Sequence, residues 1–132
     1  MYTIRNFNSA DFSLLSSWWE KRQKEHAPTL DMMPEGTSYI IEYNNVPIAS
    51  MCWISTNCKA VAYCANFISN PEIEKKVRKE AVKLLFDHIS KEARDRGYQN
   101  LLAFSHTSKV GDRFSELGMR PTMIVTSFVR SL

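Results

Sequence analysis

The side chains able to do chemistry are few, and several of the groupings they could form are absent. His26, His88 and His106 are the three histidines, and Cys52, Cys58 and Cys64 the three cysteines. No CxxC pair and no Cys/His zinc spacing joins them, so no metal site is expected. The thiols are expected to be free, as small core or turn residues in a reducing cytosol. No nucleophile elbow surrounds a serine, which leaves a Ser-His-Asp triad unsupported. The four glycines, Gly36, Gly97, Gly111 and Gly118, stand isolated. Neither a GxGxxG nor a GxxxxGK phosphate loop can be built from them, which excludes dinucleotide-fold and P-loop enzymes. Lys75, Lys76, Arg78 and Lys79 form a basic run, but acids interleave with bases along that segment, which argues against nucleic acid.

The elements that must position these residues follow from pattern. With 132 residues, 44% hydrophobic and 23% charged, the chain is long enough for one hydrophobic core and is read as one domain, 1–132. The net charge of +3 mildly favours anionic ligands. No apolar run approaches the ~18 residues of a membrane span, and the start MYTIRNFNSADF has no signal-peptide pattern, so a cytoplasmic protein is expected. Tyr2 to Arg5 alternates as a strand. Asn8, Ser9 and Asp11 start an amphipathic helix reaching roughly His26, with one indole of Trp18-Trp19 on its core face and the other at the margin. Pro28 and Pro34-Glu35-Gly36 mark a loop.

From Thr37 the period becomes two. Asn44-Asn45 is a hairpin turn, Val46 to Ser55 the return strand, and Ala60 to about Ser69 a third strand after a turn at Asn57-Cys58. A two-residue loop there would bring Cys52 near Tyr63 and Cys64. Asn70-Pro71-Glu72 has the chemistry of a helix start. Ile73, Val77, Ala81, Leu84, Leu85, His88, Ile89 and Ala93 then share one face, and Gly97 closes the helix. Tyr98 to Phe104 reads as a buried strand, Lys109 to Leu117 as a short helix and Ile124 to Val129 as a last strand. The order is β-α-β-β-β-α-β-α-β, an α/β (mixed-sheet) sandwich.

This order resembles the GNAT (GCN5-related) N-acetyltransferase superfamily over nearly the whole chain. Tyr39-Ile-Ile-Glu-Tyr-Asn-Asn-Val-Pro-Ile-Ala49 is similar to that family's second and third strands, and Phe67-Ile-Ser-Asn-Pro71 to the end of its fourth. Ala81-Val-Lys-Leu-Leu85 resembles the A/G-x-x-L-L of the main helix, Arg96-Gly97-Tyr98 the next helix-to-strand junction, and Phe114-Ser-Glu-Leu-Gly-Met119 the Y-x-x-x-G-F close. Short, divergent sequences of this kind are also similar to phage-encoded ones, for which the compartment would be the host cytoplasm.

The resemblance implies acetyl-CoA as acyl donor and direct attack by a primary amine, of a small molecule or a protein, in a monomer or homodimer. It also leaves open a GNAT-fold binding or regulatory protein, weakly active or inactive, that acts through a protein partner. In the family the backbone of the fourth strand, here Phe67, Ile68 and Ser69, holds the pantetheine and polarises the thioester. The diphosphate lies on free amides at a Q/R-x-x-G-x-G/A helix start. Aligned on Leu84-Leu85, Lys76 takes the Q/R position, Lys79 the first glycine and Ala81 the last; shifted by two, Arg78 takes the Q/R position and Ala81 the first glycine. No glycine stands in either version; Lys75, Lys76, Arg78 and Lys79 either partly offset that loss by charge attraction to the phosphates or form a solvated basic helix face.

Two helix starts are then mutually exclusive. A helix from Pro71 would use up the amides near Lys79, whereas a phosphate site needs a loop through Ile73 to Lys76 and a helix from near Val77. Phe114 stands where many relatives place a proton-donating Tyr. His106, just past the fifth strand, has the pKa of a general base, or is a solvent-facing loop histidine. Asn66 stands where an acid would serve; it cannot act as a base, though it could hold a water. Ser108, with Ser105 and Thr107, contacts the cofactor or caps the following helix.

Overall fold

The computed structural model describes residues 1–22, 27–104, 108–122 and 128–132, with the side chains of 108–111 excepted. Its elements are β1 (Tyr2–Asn6), α1 (Phe12–Lys21), β2 (Ser38–Tyr43), β3 (Val46–Ile54), β4 (Ala62–Ser69), α2 (Lys75–Asp95), β5 (Leu101–Leu102) and α3 (Ser108–Glu116). The strands form one sheet in the order β1-β2-β3-β4-β5, antiparallel except for the parallel β4–β5 pair. A parallel neighbour requires a crossover, and α2 supplies it.

Local chemistry accounts for most of the boundaries. The Asn8 side chain accepts from the Ala10 amide at 2.9 Å, and the Asp11 carboxylate accepts from the Asn8 amide at 2.9 Å. This reciprocal cap opens a 3-10 turn over Ser9–Asp11 that leads into α1. Asn44 and Asn45 both have positive φ, 50° and 67°, which matches the twist of the β2–β3 hairpin. The turn expected at Asn57-Cys58 is a longer loop, 55–61, tied down by Thr56 and by the Tyr98 hydroxyl. The register therefore pairs Cys52 with Ala65 and Cys64 with Trp53, away from the placement a two-residue loop would give.

Two layers of helix cover the sheet. On one face α2 packs Ala81, Val82, Leu85, Phe86, Ile89 and Ala93 over Tyr39, Ile41, Met51 and Trp53. Leu85 and Ile89 are fully buried, each stabilising the fold by about 1.5–3 kcal/mol. On the other face α1 buries Leu15, Trp18 and Trp19 against Met33 and Ile68. Both indoles are thus core residues, so the marginal position expected for one of them is corrected. His88 is likewise not packed inside. It is an exposed α2 residue whose ring meets Tyr39 edge-on at 4.8 Å.

Two further expectations change. The strand expected over Tyr98 to Phe104 is a ladder only at Leu101 and Leu102. Tyr98, Gln99 and Asn100 instead bond to Thr56, Lys59, Ala60 and Ala62 beside the loop. Of the last strand expected, Ile124 to Ser127 lie outside the described residues, and Phe128 and Val129 are exposed and in no strand. No helix among the described residues is long and apolar enough to cross a membrane.

Candidate active site

The sheet opens at β4. Ser50 pairs with Ile68 and Cys52 with Ala65, so Met51 faces two residues, Asn66 and Phe67. That extra residue is a β-bulge, and Asn66 takes its positive φ of 56°. Asparagine tolerates this region better than most side chains. Its amide nitrogen donates to the Met32 carbonyl at 3.1 Å and lies 3.3 Å from Cys52 Sγ, so the bulge and the 30–32 turn are held together. β5 follows β4 only opposite Ala62 and Tyr63. Beyond Tyr63, among the described residues, β4 runs on without a β5 partner.

The far end of β4 is fastened from α1. Arg22 donates from Nε to the Ser69 carbonyl and from Nη2 to the Ser69 hydroxyl, both at 2.9 Å. Ile68 is fully buried towards α1. Phe67, on the opposite face by strand alternation, packs against the α2 cluster with the Arg113 guanidinium 5.8 Å from its ring centroid.

The start of α2 falls between the two helix readings: the chain is not helical from Pro71, but Lys75 and Lys76 already belong to the helix rather than to a loop reaching Val77. Asn70 forms a turn, accepting from the Ile73 and Glu72 amides, while its own amide donates to the Ile48 carbonyl at 2.7 Å. That bond extends the strand edge, so the chain must turn before a helix can begin. Glu72 and Glu74 are turn and cap residues, and α2 begins at Lys75. Its first internal bond is from the Arg78 amide to the Glu74 carbonyl, 3.0 Å. The amides of Lys75, Lys76 and Val77 precede it and have no partner within the helix.

The expected residues are therefore distributed as follows. Phe67, Ile68 and Ser69 line the end of β4, and Lys76 is exposed on the first turn of α2 without an ion pair among the described residues. Lys79 turns towards α3, 3.5 Å from Glu116. Ala81 is a correction: it is fully buried in the core, and its amide lies beyond the first turn, inside the helix. Asn66 holds the bulge through its side chain. His106, Ser105 and Thr107 lie outside the described residues, as does the side chain of Ser108.

The residues missed are Arg22 and Arg113. Both converge with Arg78. Burial, and then the charges of Arg78 and Arg113, pull Arg22 below the ordinary arginine value. Arg78 is lowered by burial and then by Arg113. Burial also drives the Cys52 thiol up to about 11 and the Cys64 thiol up to about 12, which removes both as nucleophiles. A cavity of about 730 Å³ lies elsewhere, lined by Phe86, Ser90, Leu102, Phe114 and Met119. It includes neither the end of β4 nor the first turn of α2, where the cationic side chains gather.

No protein-family model matches the sequence, and the search of curated proteins gives no significant match. Solved structures do match. N-acetylglutamate synthase from Neisseria gonorrhoeae, complexed with coenzyme A and L-arginine, is 19% identical with a TM-score of 0.71, over 87% of this chain. This chain spans only 26% of that one. AAC(6')-Iy in complex with the bisubstrate analogue CoA-S-monomethyl-acetylneamine is 13% identical with a TM-score of 0.73, covering 100% of this chain and 99% of that one. A GCN5-related N-acetyltransferase from Ralstonia eutropha is 15% identical with a TM-score of 0.65, covering 98% and 99%. The mixed five-stranded sheet with its crossover helix is thus a GNAT N-acetyltransferase fold, which this chain adopts.

Proposed function

We propose that the protein is an acetyl-CoA-dependent N-acetyltransferase that transfers the acetyl group to a primary amine by direct attack. One observation carries this reading: β4 parts from β5 just beyond Tyr63, next to a helix start with free amides, in a fold whose solved neighbours include coenzyme A complexes. The buried Nε of Arg78, without a hydrogen-bond partner among the described residues, fits a phosphate-bearing donor, since such an atom is costly to leave unpaired. Bound in the cleft, acetyl-CoA supplies an activated acyl group.

The chain's own groups do the rest. The amides of Lys75 to Val77, with Lys76 and Arg78, attract the diphosphate. Main-chain N–H groups along Phe67 to Ser69 orient the thioester and stabilise charge developing on its oxygen. His106 is assigned the proton of the attacking amine, as an imidazole is the side chain suited to that transfer. Phe114 has no proton to give, so the thiolate departs without an acid from that position. The loop carrying the exposed Leu30 and Met32, fastened to the bulge by Asn66, forms the acceptor wall.

Incubating the protein with acetyl-CoA and a panel of primary amines (polyamines, amino sugars, amino acids and peptides) tests this by mass spectrometry. An acetylated amine formed only when protein and donor are both present is the expected result. No acetylated product from any member at saturating donor overturns it.

A further inference from the structure

On the face of the sheet turned to α1, one corner is uncovered among the described residues. Strand alternation fixes which side chains stand there. Trp53, Cys64, Leu101 and Ala103 belong to the α2 core, so their neighbours Ile54, Tyr63, Leu102 and Phe104 point the other way. Register sets Ile54 beside Tyr63 and Tyr63 beside Leu102, a row across β3, β4 and β5. The Phe104 ring stacks on that of Tyr63, 17° from parallel with centroids 6.2 Å apart. α1 packs on Ile68, further along β4, and leaves Phe104 54% and Ile54 38% exposed.

The 30–32 turn borders the same face. Met33 packs in the α1 cluster, and Asn66 holds the Met32 carbonyl at 3.1 Å, with Leu30 and Met32 exposed. Row and turn together offer apolar and aromatic surface. A polycationic acceptor needs carboxylates around it, and among the described residues no three acidic, His or Cys side chains converge. Asp31, in the turn, already accepts from the Thr29 hydroxyl. An anionic body finds no cationic side chain in the row either. Three strands side by side make a surface about 10 Å across, the size of one ring with a short arm and too narrow for an extended peptide or an oligosaccharide. An exposed ring is a platform for a second ring, offset-stacked or edge-on.

We infer that the acceptor is a small primary amine with an aromatic body, its ring laid on Tyr63 and Phe104 and its nitrogen carried on a short arm along β4 towards the bulge at Asn66. That this amine is acetylated rests on the acetyltransferase reading; the aromatic platform itself does not. Transfer forms the bond from the amine nitrogen to the acetyl carbon as the C–S bond breaks. The thiolate leaves with coenzyme A, and one amine proton passes through His106 to water.

The test sets 2-phenylethylamine against n-butylamine, spermidine and glucosamine at saturating acetyl-CoA, with wild type, Phe104→Ala, Phe104→Tyr and Ile54→Ala. Alanine variants on two strands, each checked by thermal melting, keep a folding defect in one from deciding the matter. The kcat/KM for 2-phenylethylamine is expected to exceed that for each other amine by about tenfold or more, the gain from burying and stacking one ring. Phe104→Ala and Ile54→Ala each bring the ratio of 2-phenylethylamine to n-butylamine down several-fold through KM, and Phe104→Tyr, which keeps the ring, retains it. Spermidine or glucosamine as the better acceptor, or a ratio that neither alanine variant moves, overturns the assignment while the acetyltransferase reading stands. If no amine is acetylated, saturation-transfer NMR of 2-phenylethylamine decides. A signal that wild type gives and Phe104→Ala loses keeps the platform and overturns the transfer; no signal from wild type overturns both.

Discussion

Arg22 holds Ser69 by two hydrogen bonds across 47 residues of sequence, its Nε on the carbonyl and its Nη2 on the hydroxyl, each 2.9 Å long. The end of the bulged strand is thereby tied to the end of the first helix. Arg22→Gln keeps part of the polar contact and loses the charge. It is expected to lower stability by about 1–3 kcal/mol, the worth of hydrogen bonds to a charged group. The measurement is the denaturant midpoint at unchanged slope.

Asn66 is the residue on which the bulge of β4 against β3 turns. Asn66→Ala puts a Cβ at a φ of 56° without the amide that holds Met32, and should destabilise by about 1–3 kcal/mol. Asn66→Gly removes the backbone strain and keeps only the loss of the hydrogen bond. Urea unfolding of both variants checks the order: glycine is expected to be the milder change, and an alanine variant as stable as wild type would mean that the bulge is not held by Asn66.

Asp11 gives the fold an acid-sensitive joint. Arg5 donates to both its carboxylate oxygens, at 2.8 and 2.9 Å, and the Asn8 amide adds a third bond. The Arg5 hydrogen bonds first of all hold its pKa below the ordinary 3.8. A depressed folded pKa means stability that is fully present above the unfolded value and lost as pH falls through the folded one. Unfolding midpoints for wild type and Asp11→Asn, measured downwards from pH 6, are expected to converge as the acid is titrated below pH 3.8.

The cysteines differ in access rather than in kind. Cys58 is exposed, while Cys52 and Cys64 are buried and made less acidic by that burial. A thiol reagent on the native protein is expected to label Cys58 rapidly and the other two only when denaturant is added. Rapid labelling at Cys64 in the native state would show that β4 opens locally.

The order of elements was readable because hydrophobic period and turn chemistry are local. Asn44-Asn45, the Asn8 cap and the α2 apolar face were legible in their own neighbourhoods. The cleft was not, because it depends on register. The bulge arises from which β3 residue faces Asn66, and Cys52 opposite Ala65 follows from a loop whose length no local pattern sets. The start of α2 was misread for a related reason: Asn70-Pro71-Glu72 has helix-cap chemistry, yet the strand bond from Asn70 to Ile48 claims that residue first. Arg22 and Arg113 are ordinary helix-surface arginines in sequence. Only the fold brings them towards Arg78 of the basic run, whose Lys79 instead contacts Glu116.

The account depends above all on the cleft beside β4 binding the acyl donor. Titration calorimetry of the wild-type protein with acetyl-CoA measures that directly. Saturable binding in the micromolar range, weakening as salt is raised because the arginines supply the attraction, is the predicted result. No heat of binding at millimolar acetyl-CoA would contradict it and leave the fold serving a partner surface instead.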